Sequence, residues 1–290
     1  MPEPSATIYK IRKERKAKLK NHTYKMLVVD IDGTLVDSDG NISSEDREAV
    51  AKARGLGIRV SLSTGRGIKA SLSVIDQLAL DGYHIFCDGA LISSPHDGKE
   101  VYAQPLSQAA VTDMIDFAHR HGVDLELFST TNYFAERETW STEAHREFFG
   151  VEATLVDFDE LREERIIKGG LVTTNPQEAA KASEFCRHFE GRLHFSYARA
   201  PAYPDVDFIN IIAPDVSKGK ALEALASFLG LSLAEVMAVG DGTNDISLLA
   251  SAGLGVAMGN ARDEVKAVAD QVTLDVDHSG LAAAINKFLV

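Results

Sequence analysis

Apolar blocks alternate with amphipathic stretches along the first part of the chain. Continuous or alternating apolar runs predict strands, and apolar positions spaced three and four residues apart predict helices. The predicted strands cover residues 25–30, 58–63 and 83–92, and the predicted helices cover residues 43–57 and 68–80. Ser43, with Asp46 three residues later, forms an N-terminal capping signal for the first helix. This β-α-β-α-β order predicts a parallel sheet with right-handed crossovers.

The same alternation returns near the end of the chain. The predicted strands there cover residues 236–242 and 254–258, and the predicted helices cover residues 217–230, 244–253, 260–269 and 279–290. Both segments therefore fit one doubly wound α/β core with a Rossmann-like parallel sheet.

Between these segments the predicted strands come in neighbouring pairs, which is typical of an antiparallel sheet. The pairs are residues 123–129 with 132–136 and residues 192–198 with 206–213, and helices are predicted at 107–121 and 177–190. We therefore expect an inserted α+β cap domain. The predicted division is a basic N-terminal arm at 1–25, a core at 26–92 and 214–290, and a cap at 93–213.

The composition agrees with a packed globular protein, because 45% of the 290 residues are hydrophobic. No apolar run reaches the roughly 18 residues of a membrane span, and the start does not read as a secretory signal. The two cysteines, Cys87 and Cys186, form no CxxC pair. We expect no membrane association and a reducing, cytoplasmic location.

The charge is unevenly distributed along the chain. The formal net charge is −13, yet residues 1–25 hold eight Lys or Arg against two Glu. Such an arm can contact nucleic acid or anionic lipid, and it can equally be a solvated extension. The acidic body argues against a nucleic-acid enzyme but allows a phosphorylated substrate, since a bound metal reverses the local field. The sequence indicates no oligomeric state.

Chemically distinctive side chains follow the predicted core strands, whose carboxyl ends bind ligands in open α/β sheets. They are Asp30 and Asp32 after the first strand, Thr64 and Gly65 after the second, Lys218 at a helix start, and Asp241, Asn244 and Asp245 after a late strand. Clustered carboxylates without His or Cys suit a hard cation such as Mg²⁺. A hydroxyl, a lysine and backbone N–H groups suit a phosphate.

Asp30 and Asp32 are two residues apart, so they start on the same face of the strand. An ionised aspartate can attack phosphorus directly, and a second carboxylate can protonate the leaving alcohol and then activate water. Like charges this close repel each other, and a shared divalent cation would relieve that repulsion. The pair therefore predicts phosphoryl-transfer chemistry.

Four short motifs, in this order, resemble those of the haloacid dehalogenase (HAD) superfamily of phosphatases: DIDGTL, STGR, VSKG and GDGTND. The stretches FINIIAPDVSKGKAL and GVAMGNARDEVKAVADQVT are similar to its Cof-type branch, in which an α/β cap is inserted between the second and third motifs. The resemblance covers about residues 25–290 and is weak through the predicted cap. It implies a HAD-like core, phosphatase activity and Mg²⁺ as the cofactor.

The resemblance also implies catalytic and metal-binding roles. Asp30 would be the nucleophile that becomes the phospho-aspartate, and Asp32 the general acid/base. Lys218 would bridge the phosphate and Asp30. The metal ligands would be the side chains of Asp30 and Asp241 and the backbone carbonyl of Asp32. Asp245 would be a further ligand or the partner of one.

The phosphate-binding residues follow from the same resemblance. Thr64 would hold phosphate oxygens with the backbone of Ile31 and Gly65, helped by Lys218, and Asn244 would contact the phosphate or support its ligands. One position departs from the family pattern, because Asp88 stands where an Asn usually precedes Gly-Ala. No role carries over to Asp88.

We therefore expect a Mg²⁺-dependent phosphatase that acts on a small phosphorylated metabolite, such as a sugar phosphate, through Asp30. Two alternatives remain open: a phosphomutase of the same superfamily, and a non-enzymatic phosphate-binding or regulatory protein. Release of phosphate into water would distinguish the phosphatase from the mutase. Asp32 argues against a regulatory protein, because an acid/base residue serves turnover.

Overall fold

The protein is described by a computed structural model that covers residues 24–198, 202–203 and 205–290. Its strands are β1 (Met26–Val29), β2 (Arg59–Leu62), β3 (His84–Phe86), β4 (Leu91–Ser94), β5 (Lys99–Ala103), β6 (Leu125–Phe128), β7 (Tyr133–Ala135), β8 (Thr154–Leu155), β9 (Lys168–Thr173), β10 (His194–Ala198), β11 (Asp207–Ile212), β12 (Val236–Gly240), β13 (Leu254–Ala257) and β14 (Gln271–Val272). Its α-helices are α1 (Ser44–Gly55), α2 (Leu72–Gln77), α3 (Gln108–His121), α4 (Trp140–Phe149), α5 (Pro176–His188), α6 (Lys218–Phe228), α7 (Ile246–Ser251), α8 (Asp263–Val268) and α9 (Gly280–Phe288). Except for Tyr24 and Lys25, the predicted basic arm, residues 1–25, lies outside the described residues.

The core is a parallel sheet with strand order β14-β13-β12-β1-β2. All residues of β1 are buried because helices cover both faces of the sheet. Leu27 and Val29 pack with residues of α1 and α9. Met26 and Val28 point the other way and pack with residues of α6 and α7. The predicted doubly wound α/β core is confirmed.

The chain reverses direction inside the segment predicted as the third strand. Strands β3 and β4 are antiparallel, and β5 completes a three-stranded sheet with them. Between β3 and β4, Cys87, Asp88 and Gly89 have φ values of 52°, 53° and 101°. Because these angles lie in the left-handed region, the backbone turns there instead of staying extended. The prediction of one strand over residues 83–92 is therefore wrong.

The second large unit, which we call the cap, contains a six-stranded sheet of order β10-β11-β9-β6-β7-β8. The two predicted strand pairs are confirmed, since β6 with β7 and β10 with β11 are antiparallel. Helices α3 and α5 pack on one face of this sheet through Phe117 and Phe185. The apolar pattern does not predict α4 or β9, one of the two central strands, which begins with Lys168 and two glycines.

The opposite face of the cap sheet carries polar and aromatic side chains and is turned toward the core. By alternation, Glu126 and Phe128 on β6, Lys168 on β9 and Asn210 on β11 share this face. The Nζ of Lys168 donates a hydrogen bond to the carbonyl oxygen of Gly65 in the core, at 3.1 Å. The cap sheet therefore lies directly over the carboxyl edge of the core sheet.

The predicted fold class is confirmed: a Rossmann-like parallel core carries an inserted α+β unit. The predicted domain limits, at residues 26–92, 93–213 and 214–290, stay a prediction, and the first limit falls within β4. Among the described residues, no helix is long and apolar enough to cross a membrane.

Candidate active site

Parallel neighbouring strands bring the predicted site residues to one edge of the core sheet. Asp30 follows β1, Thr64 lies two residues beyond β2, and Asp241 follows β12, and these three strands are adjacent. Lys218 is the first residue of α6, whose N-terminus is capped by the side chain of Ser217. The carboxyl ends of parallel strands share one edge, so these loops converge.

A buried lysine joins two of the predicted aspartates. The Nζ of Lys218 lies 2.6 Å from Oδ1 of Asp30 and 2.7 Å from Oδ1 of Asp245. All three residues are buried, with exposed fractions of 1%, 6% and 0% in that order. Burial alone would lower the pKa of Lys218, but the carboxylates of Asp245 and Asp30 outweigh it and raise that pKa. Lys218 is thus held as an ammonium beside Asp30.

Negative charge is crowded around Asp30 and Asp241. Burial raises the pKa of Asp30 well above its ordinary value, and the Asp245 carboxylate adds to this effect while Lys218 opposes it. Burial, with Asp245, also raises the pKa of Asp241 to about 7, although Thr34 donates a 2.7 Å hydrogen bond to this carboxylate. Both pKa shifts come first from the burial of the carboxylates and then from the negative charge of their neighbours.

Three of these carboxylates are placed to share a divalent cation. One oxygen from each of Asp30, Asp241 and Asp245 lies within 4.8 Å of the others. The second oxygen of Asp245 accepts the backbone N–H groups of Asp241 and Gly242, at 3.0 and 2.9 Å, which orders the loop after β12. A buried, oxygen-only donor set with excess negative charge fits Mg²⁺.

Gly33 lets the loop after β1 approach Asp241. Its φ is +81°, and a Cβ at this position would lie 2.6 Å from Oδ2 of Asp241. The side-chain amide of Asn260 donates to the carbonyl of Gly33 at 2.8 Å and to Asp241 at 3.3 Å, so it ties the two loops together. Sequence reasoning misses Asn260, and its place in the GVAMGN stretch is the one available signal.

The Asp32 carboxylate points into the cavity and is held by Arg66. The Nε of Arg66 donates to one oxygen of Asp32 at 2.9 Å, and a terminal nitrogen of Arg66 donates to the other. The guanidinium also donates to the carbonyl of Ala70 and lies 4.6 Å from the ring centre of Phe149 in the cap. Arg66 therefore links the predicted acid/base residue to the cap.

The predicted phosphate-binding residues lie along the same edge. Gly65 and Asn244 line the cavity described below, and the side chains of Ile31 and Thr64 are buried. The Oγ1 of Thr64 accepts a backbone N–H from two residues later, at 3.1 Å. The amide of Asn244 donates to Oδ1 of Asp88 at 2.9 Å. The structure brings these residues together, and their roles stay predictions.

Asp88, to which the sequence assigns no role, connects the core to the cap. It is 2% exposed, and its Oδ2 accepts a 2.7 Å hydrogen bond from the side chain of Asn210 on β11. Because Asn210 is 122 positions away along the chain, no local pattern indicates this contact. Together with Asn244, Asn210 satisfies both oxygens of Asp88.

A cavity of about 490 Å³ separates the core edge from the cap. The predicted residues in its wall are Asp30, Asp32, Gly65, Asp241 and Asn244, and the cap contributes Phe128, Tyr133, His145, Phe149 and Lys168. Lys218 and Asp245 are buried behind this wall. The cavity thus brings a possible nucleophile, a carboxylate cluster and cap side chains around one ligand-sized space.

His145 lies in the cavity wall and is not among the residues that the sequence predicts for the site. Its Nδ1 lies 2.8 Å from the carbonyl oxygen of Ser141, which can only accept, so Nδ1 carries a hydrogen. The ring lies 4.7 Å from that of Tyr133. Ser141 is four residues earlier on α4, so the contact follows from a helix that the apolar pattern does not predict.

Known proteins share this architecture along most of the chain. Phosphatase YwpJ of Bacillus subtilis is 30% identical over 285 residues, which cover 91% of this chain and 100% of YwpJ. A solved haloacid dehalogenase-like hydrolase from Bacteroides thetaiotaomicron matches with a TM-score of 0.80 and 27% identity, covering 91% and 99% of the two chains. The solved HAD subclass IIB sugar phosphatase BT4131 matches with a TM-score of 0.77 and 28% identity, covering 91% and 98%.

The sequence profile of haloacid dehalogenase-like hydrolases matches residues 27–285, which include both the parallel core and the inserted cap. The resemblance carried by the four motifs is therefore confirmed across the chain, and this protein belongs to the haloacid dehalogenase-like hydrolase family.

Proposed function

We propose that this protein is a phosphatase that hydrolyses a small phosphorylated metabolite, such as a sugar phosphate, through a phospho-aspartate on Asp30. One observation carries the proposal: the Asp30 carboxylate contacts the Lys218 ammonium at 2.6 Å and opens into the cavity beneath the cap. An aspartate in this position can attack phosphorus. The names of YwpJ and BT4131 support the reaction type, and that of BT4131 supports a sugar phosphate.

The first half of the reaction transfers the phosphoryl group to Asp30. A carboxylate oxygen of Asp30 bonds to phosphorus as the bond from phosphorus to the leaving oxygen breaks. Asp32 gives its proton to the leaving oxygen, and the alcohol departs. Arg66 donates to both oxygens of Asp32 and holds this side chain at the cavity wall, and one of these hydrogen bonds has to break before Asp32 can carry the proton.

The second half of the reaction restores Asp30. Asp32, now ionised, takes a proton from a water molecule whose oxygen attacks the phosphorus of the phospho-aspartate. The bond between phosphorus and the Asp30 oxygen breaks, and inorganic phosphate leaves. Asp32 thereby returns to its protonated form, so each turnover consumes one ester and one water.

The transferred phosphate would lie against Thr64 and the backbone of Ile31 and Gly65, with Lys218 and Asn244 completing its surroundings. Preorganised donors of this kind commonly contribute about 3–4 kcal/mol each to transition-state stabilisation. The position of Gly65 and Asn244 in the cavity wall supports this arrangement. Lys218, bonded to two carboxylates, would also hold Asp30 in its attacking orientation.

Mg²⁺ would be held by the side chains of Asp30 and Asp241 and by the backbone carbonyl of Asp32, with Asp245 as a further ligand or as a residue that orients the ligands. When bound, Mg²⁺ supplies positive charge that offsets both the carboxylate repulsion and the charge on the phosphoryl group. The spacing of the three carboxylates within 4.8 Å and the raised pKa of Asp241 support this assignment.

The cap, predicted at residues 93–213, would select the substrate, because its side chains form the cavity wall opposite Asp30. A reducing compartment such as the cytoplasm is supported by the cysteines, since Cys87 and Cys186 are both free thiols. The expected partner is a small metabolite. Nucleic acid bound by the basic arm 1–25 is the alternative partner, and a salt-sensitive gel shift that is lost on deletion of residues 1–24 would support it.

A phosphate-release screen tests the proposed function. Sugar phosphates, nucleotides, phosphoglycolate and pyridoxal phosphate would each be incubated with the protein, with and without Mg²⁺. The Asp30→Asn variant should release no phosphate, while Asp39→Asn, a change at an exposed aspartate farther along the chain, should match the parent protein. Unchanged release by Asp30→Asn would overturn the proposal.

The Asp32→Asn variant, together with phosphate release by the parent protein, distinguishes the phosphatase from the two alternatives. Because it lacks the group that activates water, it should accumulate phospho-enzyme when given p-nitrophenyl phosphate, whose leaving group departs without a proton from Asp32, and this is detected as a mass increase of the intact protein. A phosphomutase would return the phosphoryl group to a sugar with no net phosphate release. A regulatory protein would keep a long-lived phospho-aspartate even in the parent protein.

A further inference from the structure

Lys168 is a buried cation at the cap side of the cavity. It begins β9, is only 6% exposed, and lies on the face of the cap sheet that is turned toward the core. Its side chain is part of the cavity wall. A lysine is rarely buried without a partner, because moving an ammonium out of water is costly unless its charge is balanced.

The partners of Lys168 are all uncharged. Its Nζ donates to the carbonyl oxygen of Gly65 at 3.1 Å and to Oδ1 of Asn210 at 2.9 Å. It also lies 4.3 Å from the ring centre of Phe128. An ammonium has three N–H donors, so these two hydrogen bonds leave one N–H that faces the ring of Phe128 or is open to a ligand. None of the ion pairs found in the described part of the chain includes Lys168.

Lys218, the buried lysine of the core, differs from Lys168 in the charge of its partners. Lys218 is 1% exposed and contacts two carboxylates directly. The nearest negative charge to Lys168 in its hydrogen-bond network is Asp88, which is separated from it by the side chain of Asn210. Asp207 also lines the cavity, but it pairs with Thr173 at the far end of β9 from Lys168.

We propose that Lys168 is a specificity-determining residue that binds an anionic group on the leaving part of the substrate. The preferred substrates are then phosphorylated acids, such as sugar-acid phosphates, rather than neutral polyol phosphates. This inference rests on the proposed function, which places the transferred phosphoryl group at Asp30 in the core. Lys168 belongs to the opposing cap and meets the core at the carbonyl oxygen of Gly65, beside the proposed phosphate site, so the anionic group that it binds would lie next to the transferred phosphoryl group.

A matched pair of ligands tests this proposal. The compounds 6-phosphogluconate and sorbitol 6-phosphate have the same open carbon chain and differ by a carboxylate in place of a hydroxymethyl group. Their dissociation constants would be measured by calorimetry in the Asp30→Asn background, where turnover is blocked. We expect about tenfold or tighter binding of 6-phosphogluconate, the usual size of a charge-assisted hydrogen bond.

The Lys168→Met change, added to this background, should reduce the affinity ratio of the two ligands to about one. Lys168→Arg should retain part of the preference, since it keeps the charge. Lys181→Met is the control, because Lys181 is an exposed cap lysine that also donates to a backbone carbonyl, that of Gly122. It should leave the ratio unchanged.

Three results would overturn the proposal: no preference in the parent background, a preference that survives Lys168→Met, or an equal loss of affinity for both ligands. The last result would mean that Lys168 contacts the phosphate or only supports Gly65. If Lys168→Met fails to fold, as judged by thermal melting, Lys168→Gln replaces it. Failure of the proposed function appears separately, as absent phosphate release by the unmodified protein.

Discussion

At the scale of single residues, the balance of charge at the site depends on Lys218. Its ammonium is the direct ion-pair partner of two buried carboxylates, Asp30 and Asp245. The four-motif pattern indicates that these residues meet, but the burial of the lysine behind the cavity wall appears only in the structure. Lys218 therefore serves the stability of the fold as well as the proposed chemistry.

The Lys218→Met variant should lose activity and also unfold more easily. Removing one partner of a buried ion pair costs about 3–5 kcal/mol, because the remaining charge is left uncompensated. The buried carboxylates can escape this penalty by taking up a proton, so the loss in unfolding free energy should be larger at pH 8 than at pH 5. Urea denaturation at both pH values measures this loss of unfolding free energy.

Lys220→Met is the control for this prediction, since Lys220 is an exposed lysine on the same helix that pairs with exposed Asp215 at 3.3 Å. Exposed pairs contribute about 0–1 kcal/mol, so this variant should unfold almost like the parent protein. Equal stability of Lys218→Met and the parent protein would contradict the role of Lys218.

The raised pKa of Asp241 predicts how pH affects the metal-free protein. This pKa is about 7 in the folded state against an ordinary value of 3.8, so the folded protein holds more protons between these values. The contribution of the Asp241 carboxyl group to the free energy of unfolding is therefore fully present below about pH 4 and declines as the pH rises to about 7. Thermal melting in EDTA across this range, compared with Asp241→Asn, measures the contribution.

Added Mg²⁺ should reverse this dependence. The cation has to displace the proton at pH 6 but not at pH 8, so saturating Mg²⁺ should raise the melting temperature more at pH 8. The increase should be much smaller in Asp241→Asn. The same increase at both pH values in the parent protein would contradict a site built on Asp241.

At the scale of elements, the start of α6 depends on close contact with the turn between β3 and β4. Gly89 in this turn has a φ of +101°, and a Cβ there would lie 2.4 Å from the carbonyl oxygen of Ser217. Ser217 caps α6, and Lys218 is the next residue. The absence of a side chain at Gly89 therefore allows the lysine to reach Asp30.

The Gly89→Ala variant should lose stability and activity together. A positive φ costs an alanine about 1–2 kcal/mol, and the collision with Ser217 would add to this and displace the start of α6. We expect at least a tenfold loss of kcat/KM, measured beside the unfolding free energy. Gly82→Ala is the matched control, because Gly82 has a φ of +91° with open space around it.

The Gly82→Ala control should lose only the unfolding free energy that a positive φ costs an alanine. Its kcat/KM should be unchanged. If both variants lose stability equally and both keep full activity, the contact between Gly89 and α6 does not matter for the site.

The predicted capping signal of α1 is a simpler case. Ser43 accepts the N–H of Asp46 as predicted, whereas the Asp46 carboxylate accepts the N–H of Ala282 on α9.

At the scale of the whole molecule, the cap and core meet through a hydrogen-bonded chain of side chains. Lys168 donates to Asn210, Asn210 donates to Asp88, and Asp88 also accepts from Asn244. Two of these residues belong to the cap and two to the core. The chain therefore couples the position of the cap to the loop that contains Asn244 at the cavity.

Exchanging the donor and the acceptor of the hydrogen bond between Asn210 and Asp88 tests this coupling. Asn210→Asp would place a second carboxylate against Asp88, and the repulsion should lower the free energy of unfolding. The double variant Asn210→Asp with Asp88→Asn again pairs one donor with one acceptor, so it should recover stability with a coupling free energy of about 0.5–3 kcal/mol. Its activity should stay low, because the new carboxylate also pairs with Lys168. Additive effects of the two changes on stability would mean that this contact does not join the cap to the core.

Patterns in the linear chain are enough to predict the fold class, the doubly wound core, the pairs of cap strands and the residues that meet at the carboxyl edge. These features follow from local periodicity and from the rule that parallel strands share one edge, and both can be seen in a linear chain. Three features are visible only in the folded chain: β9 lies in the middle of the cap sheet beside β6, the chain reverses at Cys87–Gly89, and Lys168, Asn210 and Asp88 form one network. The physical reason is that pairing of distant strands and positive φ angles are imposed by packing between remote segments, which leaves no periodic signal in the sequence.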